Sequence, residues 1–492
     1  MLALALLIQA VTVGLSDDEA YYWVLGQSPA WGYAFHPPGI GWSVWIFQFL
    51  LSWAFGSNSV FLTRLPAIIF SVGIFVLGLR WLKEVTGVAP TKSSKLIILA
   101  FSGLFALSWM IVPDLPLFLG WMIAFGACWR LCVGGSRQSK NKTLSLMCLG
   151  IVLAMLSKIS GVFVAASCAA CFIFLGNPKD RIRVLVWITL AVIIGVLPFI
   201  IWNATHHWGS LLYQIHDRHQ GSRLSLIRYL RFWALQLFFA GPALFVFAWY
   251  AAQKGVLSLF AKFRNDESKL YCFIFLWAAP PGLIYLFQPL FSDFKPHWAF
   301  IVWWPFVLAM AASTWKNTQT YWIRFHRFYG LVLIGSVLLL SHIPLGSLVV
   351  QVFSDTEAPN PKLDVTNDFY GWNGLREFLL TQSSEELPVL GSRYQTAAQA
   401  AFSLGKDWPS TMIPRDEKAR EEWPEFDISF STGPTWPVLK KSVYYVADHR
   451  YTQGPEYPQA VCVSLGQLDT FRFGLLSKSV FVWRCEPLIS LP

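Results

Sequence analysis

Three consecutive carboxylates, Asp17, Asp18 and Glu19, begin the segment of the sequence that is best suited to chemistry. Only Ser16 separates them from the mostly apolar residues 1–15, so they would leave a membrane at its surface. A carboxylate beside an apolar wall has a raised pKa and can act as a general base toward a hydroxyl group. The alternative is a solvated loop start that happens to be acidic. The same oxygens could also hold Mg²⁺ or Mn²⁺, although adjacent residues rarely converge on one ion.

A second feature is the cation Lys158, which interrupts an otherwise apolar pair of predicted helices. A charge at that place is costly unless it faces a cavity or an anion. We therefore interpret Lys158 as a functional residue, against the alternative of a structural charge. For Lys295 and His297, which stand beside a predicted helix start, the functional and structural interpretations are equally supported.

The composition indicates a membrane protein with a second, more polar region. Of the 492 residues, 55% are hydrophobic and 13% are charged, and the chain has 25 Trp and 40 Phe. This excludes an ordinary soluble enzyme and a disordered, collagen-like or nucleic-acid-binding chain. The net charge of +10 divides into 25 basic and 10 acidic residues up to residue 350, and 13 basic and 18 acidic residues after it. We therefore predict a membrane domain at 1–349 and a soluble domain at 350–492.

The membrane domain is predicted to be all-α, with about 11 transmembrane helices of about 20 residues each. Besides residues 1–15, the apolar windows are 61–80, 96–112, 115–133, 144–157, 159–176, 184–203, 232–252, 270–289, 298–315 and 328–349. The Trp-rich stretch 38–55 in the first outer loop favours a helix that lies along the membrane interface.

Positive charges predict how these helices are oriented. Five loop groups hold 18 of the 25 basic residues of the membrane domain, and all five fall on one face if the helices alternate. That face is cytoplasmic by the positive-inside rule, so the soluble domain lies outside. Seven basic residues remain on the outer face against this trend: Arg64, Lys158, Arg218, Arg223, Arg228, Arg231 and Lys295.

The soluble domain is predicted to be a small α/β fold. Its predicted elements are helices at 372–380 and 395–404 and strands at 387–390, 443–446 and 480–483. Its two cysteines, Cys462 and Cys485, could form a disulfide outside the cytoplasm or remain as thiols.

Several motifs resemble a known family. The segments DEAYYW and GYAFHPPG are similar to the first external loop of the C-type glycosyltransferases of the protein O-mannosyltransferase superfamily, whose bacterial branch includes the lipid A aminoarabinose transferases. The further motifs are RLP at 64–66, VPDLPL at 112–117, LSKISG at 156–161, IWNATHHW at 201–208, DFKPHWAF at 293–300, FYGWNGLREF at 369–378 and YQTAAQAAF at 394–402. Their order along nearly the whole chain is more specific than any one of them.

The resemblance implies a polytopic enzyme that takes a sugar from a polyprenyl phosphate. Asp18 would be the base that deprotonates the acceptor, Glu19 would orient it, and Asp114 would be a second acidic residue near the sugar. Fixed cations would stabilise the phosphate as it leaves. The residues implied to bind that phosphate are Lys158, His36, Arg64, Arg218, Lys295 and His297.

One position departs from the family. In the aminoarabinose branch, a Lys commonly stands where His36 precedes Pro37 and Pro38. A histidine can still hydrogen-bond a phosphate, but its charge near neutral pH is not assured. The departure puts an aminoarabinose donor in doubt, and the sequence does not separate mannose, galacturonic acid, aminoarabinose and other sugars.

The predicted function is an inverting glycosyltransferase that moves a sugar from a polyprenyl phosphate to lipid A, another glycan or a protein. We expect it in the inner membrane, with its site and soluble domain in the periplasm, where the soluble domain would cover the cavity or select the acceptor. No cofactor is expected to be required, with Mg²⁺ or Mn²⁺ as the open alternative. The rival hypothesis is a transporter or flippase for a lipid-linked or anionic solute. Transporters more often place ionisable residues mid-helix and show related halves, whereas this sequence gathers them at one face.

Overall fold

Among the residues that the structure describes, helices form the first part of the chain, and a small sheet with two α-helices forms the second part. This is a computed structural model, which describes residues 2–133, 139–215, 223–260, 265–292, 294–313, 321–354, 360–382, 386–406, 408, 410–412, 441–450, 454–455, 457 and 460–488. The predicted fold class, a helical membrane part followed by a small α/β part, is confirmed.

The helices of the membrane part are α1 (Leu2–Thr12), α2 (Asp17–Gln27), α3 (Gly39–Phe55), α4 (Val60–Thr86), α5 (Lys92–Leu99), α6 (Ser102–Leu107), α7 (Asp114–Cys132), α8 (Lys140–Ser157), α9 (Val162–Leu175), α10 (Arg181–Thr205), α11 (Gly209–Ile215), α12 (Leu226–Ala240), α13 (Pro242–Phe260), α14 (Asp266–Phe287), α15 (Phe300–Ser313), α16 (Tyr321–Leu340) and α17 (Leu345–Ser354). Helix α3 is the helix predicted in the first outer loop, and its place at the membrane interface stays a prediction.

Seven segments within the described ranges are long and apolar enough to cross a membrane. They are Val60–Thr86, Asp114–Cys132, Lys140–Ser157, Pro178–Thr205, Pro242–Phe260, Asp266–Leu290 and Tyr321–Leu340. Length and composition alone identify these spans, so the total of about 11 stays a prediction.

Three of the predicted continuous helices are interrupted, and one of them is the window 328–349, in which α16 ends at Leu340 and α17 begins at Leu345. In the window 96–112, α5 ends at Leu99 and α6 begins at Ser102. Gly330 of α16 lies against the carbonyl group of Ala100, between these two helices. In the window 232–252, Gly241 has a φ of +80° and separates α12 from α13. Glycine adopts this conformation easily, and the proline that follows lacks the N–H that a continuous helix would use.

The close pair α7 and α8 carries two of the predicted site residues at one end. Asp114 is the first residue of α7, and Lys158 follows the last residue of α8. Two glycines let these helices touch, because a Cβ atom at Gly120 would lie 2.6 Å from the carbonyl oxygen of Gly150. The close approach of the two backbones allows Asp114 and Lys158 to meet.

The soluble part consists of α18 (Leu375–Gln382), α19 (Tyr394–Leu404), β1 (Val389–Gly391), β2 (Ser410–Met412), β3 (Val443–Asp448), β4 (Ala460–Arg472) and β5 (Leu475–Pro487). The sheet order is β2-β1-β3-β5-β4, with β1 parallel to β2 and β3, and β5 antiparallel to β3 and β4. The sequence did not indicate β4, because a register shift between Ser464 and Gly466 interrupts its alternation. Cys462 and Cys485 are partners across β4 and β5 and form a disulfide.

The soluble part packs directly on α2. Ala397 of α19 belongs to the same buried apolar cluster as Tyr21 of α2. The loop before α2 also meets the soluble part, since a Cβ atom at Gly14 would lie 2.1 Å from the carbonyl oxygen of Phe369. Helix α17 continues across residue 350, and the division of the chain into two domains at that residue stays a prediction.

Candidate active site

Ser16 caps α2 and sets the directions of the three acidic side chains. Its hydroxyl accepts a hydrogen bond from the Glu19 N–H at 3.4 Å, and a Glu19 carboxylate oxygen accepts one from the Ser16 N–H at 3.1 Å. This capping box satisfies N–H groups that have no partner within the helix. Consecutive residues are turned by about 100° around a helix, so Asp17, Asp18 and Glu19 face different surroundings.

Glu19 is held in a buried ion pair with Arg64. Arg64 Nε lies 2.7 Å from Glu19 Oε1, Nη2 lies 2.6 Å from Oε2, and both side chains are fully buried. The guanidinium group also donates to the carbonyl oxygens of Val13 and Gly14, at 2.6 Å each. Arg64 is therefore occupied inside the protein, which corrects the prediction that it binds the donor phosphate.

Asp18 is the most exposed of the three acids, with 47% of its side chain accessible to solvent. Its Oδ2 lies 3.9 Å from Lys295 Nζ, and its Oδ1 accepts a hydrogen bond from the Tyr394 hydroxyl at 3.4 Å. Partial removal from solvent raises the pKa of Asp18, although the charge of Lys295 opposes this shift. A reachable carboxylate with a raised pKa is suited to accept a proton.

Asp17 points toward the soluble part. Gln399 Nε2 donates to its Oδ1 at 3.1 Å, and Arg450 Nη2 lies 2.7 Å from its Oδ2. The same guanidinium group also pairs with Asp448 and Asp368. Asp17 therefore connects the two parts of the protein.

A fourth carboxylate, that of Asp114, is held by Lys158. The Lys158 Nζ lies 2.8 Å and 3.0 Å from the two Asp114 oxygens. Only 4% of the Asp114 side chain and 15% of the Lys158 side chain are exposed. His297 Nε2 lies 3.8 Å from Asp114 Oδ2, whereas Lys295, two residues earlier, approaches Asp18. Burial lowers the pKa of His297 to about 4, so this imidazole carries no charge at neutral pH.

Tyr22 lies near the carboxylates of Asp18 and Asp114. Its hydroxyl is 3.4 Å from His36 Nε2. Burial raises the pKa of Tyr22 well above its ordinary value, and the charges of Asp18 and Asp114 raise it further. The structure thus brings six of the predicted residues to one region: Asp18, Asp114, His36, Lys158, Lys295 and His297.

Other predicted cations are placed elsewhere. Arg218 lies outside the described residues. Arg228 donates to the backbone carbonyl oxygens of Pro289 and Leu290, at 3.2 Å and 3.1 Å. Arg228 therefore holds the chain after α14 and has a structural role.

The alternative metal site at Asp17, Asp18 and Glu19 is not supported by the geometry, because each carboxylate has a different partner. In the part of the chain that the structure describes, no group of three or more His, Cys, Asp or Glu side chains could hold a metal ion. Lys295 lies beside Asp18, and Lys158 and His297 lie beside Asp114.

Comparisons with known proteins find a curated relative and solved structures of a similar fold. No family model matches the chain. The curated relative is the lipid A galacturonosyltransferase RgtD of Rhizobium johnstonii, which is 24% identical over 285 residues. That match spans 57% of this chain and 57% of the relative.

The solved structures are two states of ArnT from Cupriavidus metallidurans. The apo state is 13% identical with a TM-score of 0.63, over 99% of this chain and 96% of ArnT. The state bound to undecaprenyl phosphate is 14% identical with a TM-score of 0.62, over 98% of this chain and 96% of ArnT. This chain has the fold of ArnT. Together with its apolar helices, the fold identifies an integral membrane protein.

Sequence reasoning missed what the soluble part adds to the site. Tyr394 and Gln399 lie on α19, and Arg450 follows β3. The motif at 394–402 drew attention to α19, but it carried no role. Tyr394 is 376 residues from Asp18 along the chain, and such a contact depends on how the soluble part docks.

Proposed function

We propose that this protein is an inverting glycosyltransferase that moves a sugar from a polyprenyl phosphate to a lipid A-type acceptor. The observation that carries the proposal is Asp18, a half-exposed carboxylate beside Lys295, in a fold shared with ArnT. One ArnT structure holds undecaprenyl phosphate, and the curated relative is a lipid A galacturonosyltransferase. These likenesses support a lipid-linked donor and a lipid acceptor.

In the proposed reaction, Asp18 removes the proton from an acceptor hydroxyl as the oxygen attacks the anomeric carbon of the sugar. The bond between that carbon and the phosphate oxygen breaks, and its electron pair stays on the polyprenyl phosphate. Attack opposite to the leaving phosphate inverts the configuration of the sugar. Lys295 and Lys158 stabilise the negative charge that grows on the phosphate.

The site is proposed to face the periplasm from the inner membrane. The positive-inside rule supports this orientation, because the five basic loop groups would all lie on the opposite, cytoplasmic face. The disulfide between Cys462 and Cys485 also supports it, since disulfides persist in oxidising compartments such as the periplasm.

The rate of transfer is expected to fall as the pH decreases through the raised pKa of Asp18. Only the ionised carboxylate accepts a proton, so activity is present above that pKa and lost below it. Because partial burial raises this pKa above the ordinary value of 3.8, the loss begins at a higher pH than an unperturbed aspartate would show. Measurement of kcat/KM from about pH 4 to about pH 8 checks this, and a flat profile would contradict it.

Replacing Lys158 by Gln is expected to raise the KM for the donor and to lower kcat, each by about tenfold, because a charged donor to the phosphate is lost. Kinetics of the purified variant with varied donor concentration measure both effects. The matched control is Lys140→Gln at the other end of α8, where the lysine forms an exposed ion pair with Asp180. The control should keep full activity.

A double variant separates phosphate binding from simple charge balance. If Lys158 only neutralised the buried Asp114, adding Asp114→Asn to Lys158→Gln would restore activity. We expect no restoration, because the proposed phosphate contact is still missing. Recovery of wild-type kinetics in the double variant would therefore reject the role of Lys158 in donor binding.

Mass analysis of lipid A from cells with and without this protein tests the proposed function. We expect the mass of lipid A to increase by one sugar residue only when the protein is present. Glycolipids and glycoproteins from the same cells are measured in parallel to detect another acceptor. Unchanged masses in all three fractions would reject the proposed function.

A further inference from the structure

The soluble part contacts the proposed catalytic segment at two adjacent residues. Tyr394, the first residue of α19, donates its hydroxyl hydrogen to Asp18 Oδ1 at 3.4 Å. Gln399 and Arg450 hold Asp17 at 3.1 Å and 2.7 Å. The first turn of α2 therefore lies between the membrane part and the soluble part.

Asp17 anchors this contact. Only 9% of its side chain is exposed, and a buried carboxylate is stable when its charge is compensated. Arg450 compensates it and also pairs with Asp448 and Asp368. Lys478 adds a second positive charge nearby: burial lowers its pKa, and the charge of Asp17 opposes that shift. Because Arg450 belongs to the soluble part and Asp17 to α2, their ion pair forms only when the soluble part is docked on α2.

The ring of Tyr394 is also held in place by α2 and by the loop after it. Its centroid lies 5.4 Å from that of Tyr21, edge to face, and 5.9 Å from that of Phe35. Aromatic pairs with this spacing are favourable and restrict the ring. The direction of the Tyr394 hydroxyl toward Asp18 is therefore set by packing on both sides of the contact.

The contact also distinguishes the two oxygens of Asp18. Oδ1 accepts the Tyr394 hydrogen bond, whereas Oδ2 lies on the side of Lys295, at 3.9 Å. A carboxylate rotates about its last bond unless a partner holds one oxygen. With Oδ1 held, Oδ2 is the oxygen presented to an acceptor hydroxyl.

We infer that Tyr394 is a positioning residue for Asp18, brought to the site by a soluble part that is anchored on Asp17. The inference rests on the proposed function, because it concerns the orientation of the proposed base. It makes the soluble part a component of the catalytic site, in addition to any part it has in covering the cavity or selecting the acceptor.

Tyr394→Phe tests this inference, since it keeps the ring and removes only the hydroxyl. We expect kcat to fall about tenfold, which is typical for loss of a hydrogen bond to a charged group, while the KM for the donor stays unchanged. The matched control is Tyr370→Phe, which removes another hydrogen bond between the two parts, from the Tyr370 hydroxyl to the Ser341 carbonyl oxygen at 2.8 Å. The control should keep wild-type kcat.

A second variant, Asp17→Asn, removes the charge that anchors Arg450. It should lower kcat several-fold. Tyr394→Phe should then lower kcat by a smaller factor in the Asp17→Asn background than in the wild type, because the two residues act through one contact. Effects that multiply independently would show that the Asp17 anchor does not act through Tyr394 and would overturn the inference.

The outcomes separate this inference from the proposed function. Wild-type kcat in Tyr394→Phe, or an equal loss in Tyr370→Phe, would overturn the positioning role even if Asp18→Asn is inactive. Full activity of Asp18→Asn would instead reject the proposed base itself. A tenfold loss of kcat in Tyr394→Phe alone, with the donor KM unchanged, would support the inference.

Discussion

Replacement of Asp18 by asparagine is expected to lower the rate of sugar transfer by about 10² to about 10⁴-fold, the usual contribution of a general base. Asparagine keeps the size of the side chain and can still accept the Tyr394 hydrogen bond, but it cannot take up the acceptor proton. The rate is measured with purified protein, a polyprenyl-phosphate sugar and an acceptor, at a pH where Asp18 is ionised in the wild type.

A matched control separates this effect from a general loss of negative charge. Asp180→Asn removes an acid that pairs with the exposed Lys140, and it should leave the rate unchanged. Asp18→Asn should also keep the wild-type unfolding temperature, because Asp18 is half-exposed. Full transfer by Asp18→Asn would show that another group removes the proton.

The second large effect is expected on stability. Replacing Glu19 by Gln leaves the fully buried guanidinium group of Arg64 without its carboxylate partner. Removing one partner of a buried ion pair lowers the free energy of unfolding by about 3–5 kcal/mol. The unfolding temperature in detergent should therefore decrease markedly. The exposed pair between Arg130 and Glu84 is the control. Glu84→Gln should lower the free energy of unfolding by less than about 1 kcal/mol.

The double variant Glu19→Gln/Arg64→Met tests whether the loss comes from the unpaired charge. Met has no charge to leave unpaired in the buried site, so the double variant should be more stable than the sum of the two single losses implies. Additive losses would show that the two side chains stabilise the protein independently. Thermal unfolding of all four proteins under one detergent condition measures the coupling.

The sequence predicted the parts of this protein that depend on local pattern. Apolar windows predicted most of the helices, and the change in charge near residue 350 predicted a soluble part. The windows at 96–112, 232–252 and 328–349 failed as continuous helices because apolar composition does not report a break in the backbone. Gly241 and the proline after it were a signal for the second break, but a long apolar run outweighed them.

The candidate site was predicted as a set of residues, and its pairings were not. Asp18 and Lys158 could be found as ionisable groups next to apolar segments, and Asp114 was implied by the family resemblance. The same reasoning treated Arg64 as one more outer cation, although it is fully buried against Glu19. Tyr394 and Arg450 could not be found in this way, because their contacts join distant parts of the chain and depend on tertiary packing.

The most direct test of the central claim is transfer in vesicles that contain only this protein, a polyprenyl-phosphate sugar and lipid A. We predict that glycosylated lipid A and free polyprenyl phosphate form in equal amounts with the wild-type protein and fail to form with Asp18→Asn. Movement of the intact donor between leaflets without any glycosylated product would contradict the account and indicate a transporter.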